Sequence, residues 1–359
     1  MSVKRIAGEV GCSPATVSRV LRDPGYHCQE KGLEERIREA AIRIGYAPNE
    51  AARNLKLGIT GQQDRTFSLC ILMTRTDERQ TDPFFLELLR IVESEIHRSR
   101  HILSRIAFRP MFSDDKACSR ADLYGELDQL FHDMERQPDG LIILGRCSRH
   151  VIRLLKERVR AIVSINRNST NYEVDEVLCD GRKIASIAVE HLITLGHRDI
   201  GYVGECRNEA RYAGYLETLR RHDIPVSPSD DVIEVKQTEM EGFRAMEQLL
   251  ARQDRPTGIY CANDVLAIGM LKCMASRKGG IYHPSIISSD DIEAAQLTTP
   301  MLTTVRLPKD EMGRLALYLL MDRLQGGHTS VIRTEFEGRL MHRGSCQMMN
   351  EADWSDYII

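Results

Sequence analysis

The sequence lacks the features that direct a chain to secretion, to a membrane or to a metal. Its N-terminus, MSVKRIAGEVG, has no apolar core of signal-peptide length, and no apolar run approaches the length that spans a bilayer. Its ten cysteines include no C-x-x-C pair and do not cluster with histidine, so neither a zinc site nor a disulfide framework is expected. We therefore expect a cytoplasmic protein with reduced thiols, no metal site and no cofactor.

What the sequence does have is an ordinary globular composition and an uneven distribution of charge. Its 359 residues, 42% hydrophobic and 28% charged, are enough for two or three cores. Residues 1–60 contain ten Lys and Arg against seven Asp and Glu, a net charge of +3, and the remainder contains 39 against 45, a net charge of −6. A basic N-terminal segment followed by an acidic remainder favours a polyanion as the binding partner of the N-terminal segment. Many domains that bind no polyanion carry as much positive charge.

Three apolar stripes in the first 45 residues predict three short helices. Gly11 ends the first stripe, Ser13 suits the N-cap of the second helix, and Pro14 suits its first position. The stripes are Val3, Ile6, Ala7 and Val10, then Val17, Val20 and Leu21, then Leu33, Ile37, Ala40, Ala41 and Ile44. The second helix leaves a free face with Pro14, Ala15, Ser18, Arg19 and Arg22, which taken alone fits a plain surface helix equally well.

Two further sequence patterns follow along the chain, a short helical segment with a linker and then an alternation of strands and helices. APNEAARNLKLG predicts a helix from Pro48 to just before Gly58, which is too short to be stable alone, and residues 59–66 read as the end of a linker. From Phe67 onward, β-rich runs alternate with helical stretches: FSLCILM, HILSRIAF, GLIILG, AIVSIN, EVLCD, IGYVG, VIEV, GIYC and IISSD. This alternation predicts α/β lobes with parallel sheets, and the number of strands favours two lobes enclosing a small molecule.

The order of motifs resembles the lactose and galactose repressor family of bacterial transcription regulators, from about residue 3 to residue 345. The matching stretches are ATVSRVL (15–21), DPGY (23–26), IGYAPNEAARNLK (44–56), DPFF (82–85), HLITLGHRDIGYVG (191–204), RYAGYLETL (211–219), IYCANDVLAIGML (259–271) and LTTVRLPKDEMG (302–313). Eight motifs in family order make coincidence implausible.

The resemblance implies an all-α helix-turn-helix headpiece followed by an α/β core of two periplasmic-binding-protein-like lobes. The implied domains are a DNA-binding headpiece at 1–46, a hinge helix and linker at 47–66, an effector-binding core at 67–345 and a tail at 346–359. The chain would cross three times between a first lobe at about 67–162 and 291–325 and a second at about 163–290 and 326–345. A homodimer on a palindromic operator in double-stranded DNA is expected.

In this family the second helix enters the major groove, and a hinge leucine, matched here by Leu55, wedges into the minor groove. Pro14 and Ala15 match base-reading positions, and Arg19 matches an arginine that contacts a base or a phosphate. Arg22 stands where the family usually has asparagine. The implied DNA-binding residues are Ser13, Pro14, Ala15, Thr16, Ser18, Arg19, Arg22, Ala51, Asn54, Leu55 and Lys56.

The resemblance also implies an effector pocket between the lobes. Arg211 matches an arginine that reaches the ligand, and Asp290 matches an acidic ligand contact. Asn263 either contacts ligand or fixes its own loop. Ser288 and Ser289 replace the family's glycine-aromatic pair, so no effector can be carried over from a better-known member. The implied effector-binding residues are Phe84, Phe85, Asn166, Arg211, Asn263 and Asp290.

The expected function is therefore that of a sequence-specific DNA-binding repressor controlled by a small molecule, expected to be a sugar. An effector-dependent activator and a repressor that needs a corepressor stay open, because the sign of the coupling depends on which conformer the ligand prefers. A DNA-independent sugar-binding receptor is the alternative from another class. No enzymatic activity is expected, since the sequence shows no catalytic motif that family position leaves unexplained.

Overall fold

The computed structural model describes residues 3–22, 26, 28, 30, 32–43, 66–75, 82–132, 134, 137–167, 173–227, 229, 231–277 and 282–349. The chain divides into two compact units, Met1–Arg65 and Thr66–Ile359. The predicted hinge helix, with Ala51, Asn54, Leu55 and Lys56, lies outside the described residues.

The first unit contains the three predicted helices, α1 (Val3–Val10), α2 (Pro14–Arg22) and α3 (Leu33–Arg43). The backbone amide of Thr16 donates to Ser13 Oγ at 3.1 Å, as expected of an N-cap. The Arg36 guanidinium donates to the carbonyl oxygen of Val10 at 2.8 Å and thereby ties α3 to the end of α1. The buried core is formed by the predicted stripes: Ile6, Ala7, Val10, Val17, Val20, Leu33, Ile37, Ala40 and Ala41.

The second unit contains two six-stranded sheets covered by helices. The strands are β1 (Ser68–Met73), β2 (Ile102–Phe108), β3 (Gly140–Leu144), β4 (Ala161–Asn166), β5 (Asp175–Cys179), β6 (Ile200–Gly204), β7 (Val232–Glu234), β8 (Gly258–Cys261), β9 (Ser285–Asp290), β10 (Thr303–Arg306), β11 (Arg333–Phe336) and β12 (Arg339–Met341). The helices are α4 (Pro83–Arg98), α5 (Asp115–Cys118), α6 (Leu123–Phe131), α7 (Arg149–Lys156), α8 (Gly181–Thr194), α9 (Ala210–Arg221), α10 (Glu239–Leu250), α11 (Asp264–Ser276) and α12 (Lys309–Gln325).

The first sheet, in the order β11-β5-β4-β3-β1-β2, is parallel throughout and defines the first lobe. Its central strands are buried on both faces because helices cover both sides. Alternate residues of β1 therefore enter different cores: Leu69 and Ile71 pack with helices α4 and α12, and Cys70 and Leu72 pack with α6 and α7.

The second sheet, in the order β12-β10-β9-β8-β6-β7, defines the second lobe and is parallel except for the β10–β12 pair. Helices α8 and α9 pack together, as do α10 and α11. Gly242 and Gly269 allow the closest approach of α10 and α11, because a Cβ at either position would collide with backbone of the other helix.

All nine β-rich runs read from the sequence are strands, but the lobe boundaries differ from the prediction. β5 and β11 belong to the first sheet rather than to the second lobe, and β10 belongs to the second sheet rather than to the first lobe. The predicted boundary at 162/163 falls inside β4. The reason is that alternating strands and helices identify βαβ units without showing which sheet each strand joins.

The three chain crossings between the lobes lie side by side. The first crossing leaves the end of β5 and the third leaves the end of β11, where Cys179 and Phe336 are register partners. The second crossing leaves β10 and the third enters β12, where Arg306 and Arg339 are register partners. The chain therefore joins the lobes through three adjacent connections.

The beginning of the predicted tail belongs to the second lobe. Cys346 is buried, and the amide of Met349 donates to the carbonyl oxygen of Leu195 at 3.0 Å. Residues 350–359 lie outside the described part of the chain. Among the described helices, none has the length and apolar character needed to cross a membrane.

Candidate functional site

A cavity of about 730 Å³ lies where the carboxyl ends of strands from both sheets meet. Its walls come from the segments that follow β1, β3 and β4 in the first lobe and β6 in the second. This is the edge at which open parallel sheets bind ligands. The charged lining consists of six arginines and three carboxylates: Arg75, Arg146, Arg149, Arg167, Arg207, Arg211, Asp115, Glu205 and Glu209.

Arg167, which the sequence analysis did not single out, lies at the centre of this site. Its side chain is 6% exposed, and Nη2 lies 2.9 Å from Asp290 Oδ2 and 3.5 Å from Asp82 Oδ2. Its guanidinium carbon lies 4.5 Å from the ring centre of Phe84 and 5.0 Å from that of Phe85. The only sequence signal is its position directly after β4, next to Asn166.

The two predicted phenylalanines begin helix α4, as expected. Asp82 caps this helix by accepting from the amide of Phe84 at 3.1 Å, and Pro83 occupies its first position. Both rings are 1% exposed, and Phe85 lines the cavity together with Asn166. The rings therefore provide an apolar support beneath Arg167.

Asp290 ends β9 and pairs with Arg167, so the ion pair joins the two lobes. Its backbone φ is 118°, which is unusual for a residue with a side chain. Burial raises the pKa of its carboxyl to about 6, although Arg167 and Arg211 oppose that rise. Its second oxygen, Oδ1, is buried without a hydrogen-bond partner among the described residues.

Arg211 lines the cavity from the first turn of α9, but most of its hydrogen-bonding capacity is used inside the second lobe. Nε and Nη2 each lie 2.9 Å from an oxygen of Glu209, Nη1 donates to the carbonyl oxygen of Ala262 at 2.6 Å, and Nη2 also donates to Gln237 at 3.1 Å. Burial would raise the pKa of Glu209, but the attraction and hydrogen bonds of Arg211 outweigh it and lower the pKa to about 2. One guanidinium N–H, on Nη1, is left for a ligand.

Asn263 is the N-cap of α11, where its Oδ1 accepts from the amide of Leu266 at 3.1 Å. This arrangement corresponds to the loop-fixing option. The next residue, Asp264, is a buried acceptor for Ser288 Oγ at 2.5 Å, Thr304 Oγ1 at 2.6 Å and the amide of Ile292 at 2.8 Å. Burial raises the pKa of Asp264 to about 7.

The two serines that replace the family's glycine-aromatic pair also point to internal partners. Ser288 donates to Asp264, and the hydroxyls of Ser289 and Tyr260 lie 2.8 Å apart. Both serines are fully buried. The change in sequence therefore builds a polar network behind the cavity wall.

In the first unit, α2 and its N-cap residue present four of the predicted DNA-binding positions to solvent. Ser13, Pro14, Ala15 and Arg19 are exposed, and Thr16 is half-buried. The backbone positions of Ser18 and Arg22 lie on the same helix. A helix held by its apolar face and exposed along the other is suited to enter a major groove.

Comparison with known proteins gives matches for both the headpiece and the core. Residues 2–49 match the family described as bacterial regulatory proteins, lacI family, and residues 189–346 match a periplasmic binding protein-like domain. The HTH-type transcriptional repressor CytR of Escherichia coli (strain K12) is 30% identical, with 97% of each chain covered. The HTH-type transcriptional repressor PurR of Pectobacterium atrosepticum is 27% identical, with 96% of each chain covered.

Among solved structures, a LacI family transcriptional regulator from Enterococcus faecium with bound ribose is 25% identical and has a TM-score of 0.64. The match covers 79% of this chain and 99% of that one. Because the similarity to a repressor extends over nearly the whole length and includes the headpiece, this chain belongs to the lacI family of bacterial regulatory proteins.

Proposed function

We propose that this protein is a transcriptional repressor that binds operator DNA through α2 and is controlled by a small molecule in the arginine-lined cavity. The observation that carries the proposal is the presence, in one chain, of an exposed headpiece helix and a separate cavity at the carboxyl ends of two parallel sheets. The relatives reported above carry the names of transcriptional repressors, not of enzymes. Such a repressor acts in the cytoplasm.

On DNA, Arg19 is the polar side chain best placed to read a base. An arginine can hold guanine O6 and N7 with two hydrogen bonds, whereas Ala15 offers only an apolar contact. One headpiece reads one half-site, so we propose a homodimer on a palindromic operator. We retain Leu55 as the minor-groove wedge, flanked by Ala51, Asn54 and Lys56.

In the core, the effector contacts Asn166, Phe85 and Arg167 from the first lobe and Arg211 from the second. Polar groups on an apolar floor suit a hydroxylated small molecule, and a regulator of this family has been solved with ribose bound. Asp290 acts through Arg167, because it holds the guanidinium in place. Asn263 supports the site indirectly, because as the N-cap it fixes the beginning of α11.

Coupling between cavity and DNA requires that the effector prefer one arrangement of the lobes. The Arg167–Asp290 ion pair joins the ends of β4 and β9, so a ligand that contacts Arg167 acts directly on the junction between lobes. A full switch of a two-state protein needs about 5.5 kcal/mol of differential binding. The sign of the response depends on which arrangement the ligand stabilises.

The test is to retain genomic fragments on the immobilised full-length protein and then to challenge the complex with a panel of small molecules. We expect a few specific fragments that contain an inverted repeat, and their release or tighter retention by one compound class. Arg19→Ala is the matched control, because it alters α2 and leaves the cavity intact. Retention that is unspecific in sequence, or that is unchanged in Arg19→Ala, would contradict the proposal.

A further inference from the structure

The cavity contains more positive charge than its carboxylates neutralise. Three of its arginines have ion pairs: Arg146 with Asp115 at 2.6 Å, Arg167 with Asp290 at 2.9 Å, and Arg211 with Glu209 at 2.9 Å. The other three have no carboxylate partner among the residues that the structure describes.

These three arginines are Arg75, Arg149 and Arg207, and they come from three different segments. Arg75 follows β1, Arg149 begins α7, and Arg207 follows β6. All three are exposed, so their guanidinium groups are open to a molecule in the cavity. Loss of surrounding water at the Arg75 guanidinium, followed by the positive charge of Arg167, lowers the pKa of Arg75, although the carboxylates of Asp82 and Glu205 oppose that shift. A bound anion would relieve this repulsion.

A buried donor provides a second and independent observation. Nε of Arg167 is buried and has no hydrogen-bond partner within the described part of the chain. Buried N–H groups without a partner are rare and costly, and those of arginine are satisfied best by oxyanions. Arg167 is otherwise fixed by Asp290 and by the two phenylalanine rings, so it is preorganised to receive such a group.

The start of α7 adds a third element to the same wall. Cys147 and Arg149 line the cavity on either side of Ser148, which occupies the N-cap position but makes no side-chain capping hydrogen bond. The first turn contains no acidic residue. The positive end of the helix dipole at the cavity wall is therefore not offset by a carboxylate of its own helix.

We infer that the effector of this protein carries a phosphate group, held between Arg75, Arg149 and Arg207 with Arg167 beneath it. This inference rests on the proposed function, and it narrows the expected sugar to a phosphorylated small metabolite. A cavity of about 730 Å³ has room for a phosphorylated sugar or nucleoside.

The origin of the three arginines in separate segments of the cavity wall favours phosphate over carboxylate. A carboxylate is planar and is satisfied by the fork of one arginine, whereas a phosphate presents three oxygens in different directions. Arginines from three separate segments match the second arrangement. A neutral sugar would not neutralise the positive charge of the three guanidinium groups.

The experiment titrates the full-length protein calorimetrically with matched pairs, each a neutral compound and its phosphate ester. The pairs are ribose with ribose 5-phosphate, glucose with glucose 6-phosphate, and adenosine with adenosine 5′-monophosphate, and inorganic phosphate and glucuronate are added as separate probes. We expect at least one ester to bind ten times or more tightly than its neutral partner, and its affinity to fall as salt is raised. Arg75→Gln and Arg207→Gln should each weaken that ester about tenfold.

Arg153→Gln is the matched control, because Arg153 is exposed on the same helix as Arg149 but lies outside this cavity. It should leave the affinity for the ester unchanged. Neutral compounds that bind as tightly as their esters, glucuronate as the preferred probe, or no binding by any phosphate probe would each overturn the inference.

Retention of DNA fragments on the same protein separates the two proposals. Specific retention with release by a neutral sugar alone would leave the repressor function standing and refute the phosphate inference. Arginine-dependent binding of an ester by a protein that retains no specific fragment would refute the repressor function and leave the phosphate inference standing.

Discussion

The two walls of the cavity differ in how they use their principal arginines. On the second-lobe wall, Arg211 is almost saturated by Glu209, Gln237 and a backbone carbonyl. On the first-lobe wall, Arg75 and Arg149 have no carboxylate partner among the described residues. Arg167 obtains its nearer partner, Asp290, from the other lobe, and its second, Asp82 at 3.5 Å, from its own lobe. The buried arginine of the second-lobe wall is thus stabilised from within its own lobe, although Arg207 of that wall has no carboxylate partner among the described residues. The first-lobe wall, apart from Arg146 with Asp115, keeps its donors for a ligand and for the opposite lobe.

This difference shows that an arginine in a pocket can have either of two roles. A guanidinium whose N–H groups are already used stabilises the wall, and one with free N–H groups at the surface is available for recognition. The predictions below test whether the two walls differ in this way, beginning with the largest expected effect.

Arg211→Ala should reduce the stability of the core more than any other change considered. Removing the guanidinium leaves the buried carboxylate of Glu209 without its partner, so we expect the free energy of unfolding to fall by about 3 to 5 kcal/mol at pH 7. The measurement is urea unfolding followed by circular dichroism. Arg207→Ala is the control, because an exposed arginine without an ion pair among the described residues should change stability by less than about 0.5 kcal/mol.

The same pair has a defined pH dependence. The pKa of Glu209 is lowered to about 2 in the folded protein, so its ionised form contributes stability above the unfolded value of about 4.5. That contribution is lost as the pH falls from about 4.5 to about 2. A wild-type protein and an Arg211→Ala variant with the same acid sensitivity would show that Arg211 does not stabilise this wall.

Asp264→Asn should change the pH dependence in the opposite direction. The pKa of Asp264 is raised to about 7, so between about 4 and 7 the folded state binds more protons than the unfolded state, and stability falls as pH rises. The asparagine variant should therefore gain about 2 to 3 kcal/mol relative to wild type between pH 5 and pH 8. Urea unfolding at both pH values measures this gain.

Asp175→Asn serves as a control for that experiment, because it removes a buried carboxyl whose pKa is lowered. Burial would raise the pKa of Asp175, but hydrogen bonds from Arg323, Ile332 and His328 lower it. The pKa of Asp175 lies below its usual value of 3.8, so this carboxyl is ionised in both the folded and the unfolded state at pH 5 and at pH 8. The stability difference between this variant and wild type should therefore depend on this carboxyl only below about pH 4. A gain between pH 5 and pH 8 as large as that of Asp264→Asn would contradict the assignment of Asp264.

Arg19→Ala tests whether the headpiece is independent of both cavity walls. We expect a loss of about 1 to 3 kcal/mol in operator binding with relaxed specificity at one base pair, because a bidentate base contact is removed. Calorimetric affinity for the effector and the unfolding of the core should not change. A uniform loss on every DNA sequence would instead assign Arg19 to a phosphate.

The Arg167–Asp290 ion pair, which joins the two walls, should show the smallest free-energy effect of these predictions. In a double-mutant cycle of Arg167→Leu and Asp290→Asn, we expect a coupling of about 1.5 kcal/mol in the free energy of unfolding, because the pair is buried. The exposed Arg146–Asp115 pair is the comparison, with an expected coupling under about 0.5 kcal/mol. Equal couplings would show that the inter-lobe pair is no stronger than a surface contact.

Much of the fold was predictable from local patterns. The apolar stripes identified all three headpiece helices, and nine β-rich runs became nine strands. Strands β10, β11 and β12 were not read as strands, because their residues, TTVR, RTEF and RLM, form short mixed runs. The lobe boundaries were missed since β5, β10 and β11 join sheets through pairings that no local pattern contains.

The site was harder to predict because its chemistry depends on long-range pairs. Arg167 meets Asp290, a residue 123 positions away in sequence. Nothing near either residue indicates that contact. By contrast, the use of Arg211 by Glu209 could have been anticipated, because a carboxylate two positions earlier at a helix start can cap the helix and accept from the guanidinium.

The three adjacent crossings between the lobes determine which motions are available to the core. Three connections side by side form a strip of backbone that bends readily about one axis, whereas twisting or sliding would stretch some connections and compress others. Six rigid-body degrees of freedom are thereby reduced mainly to one, an opening angle. A ligand in the cavity then acts on the rest of the protein through this one angle. Two chemically different ligands that set the same angle should therefore have the same effect on the DNA-binding headpiece.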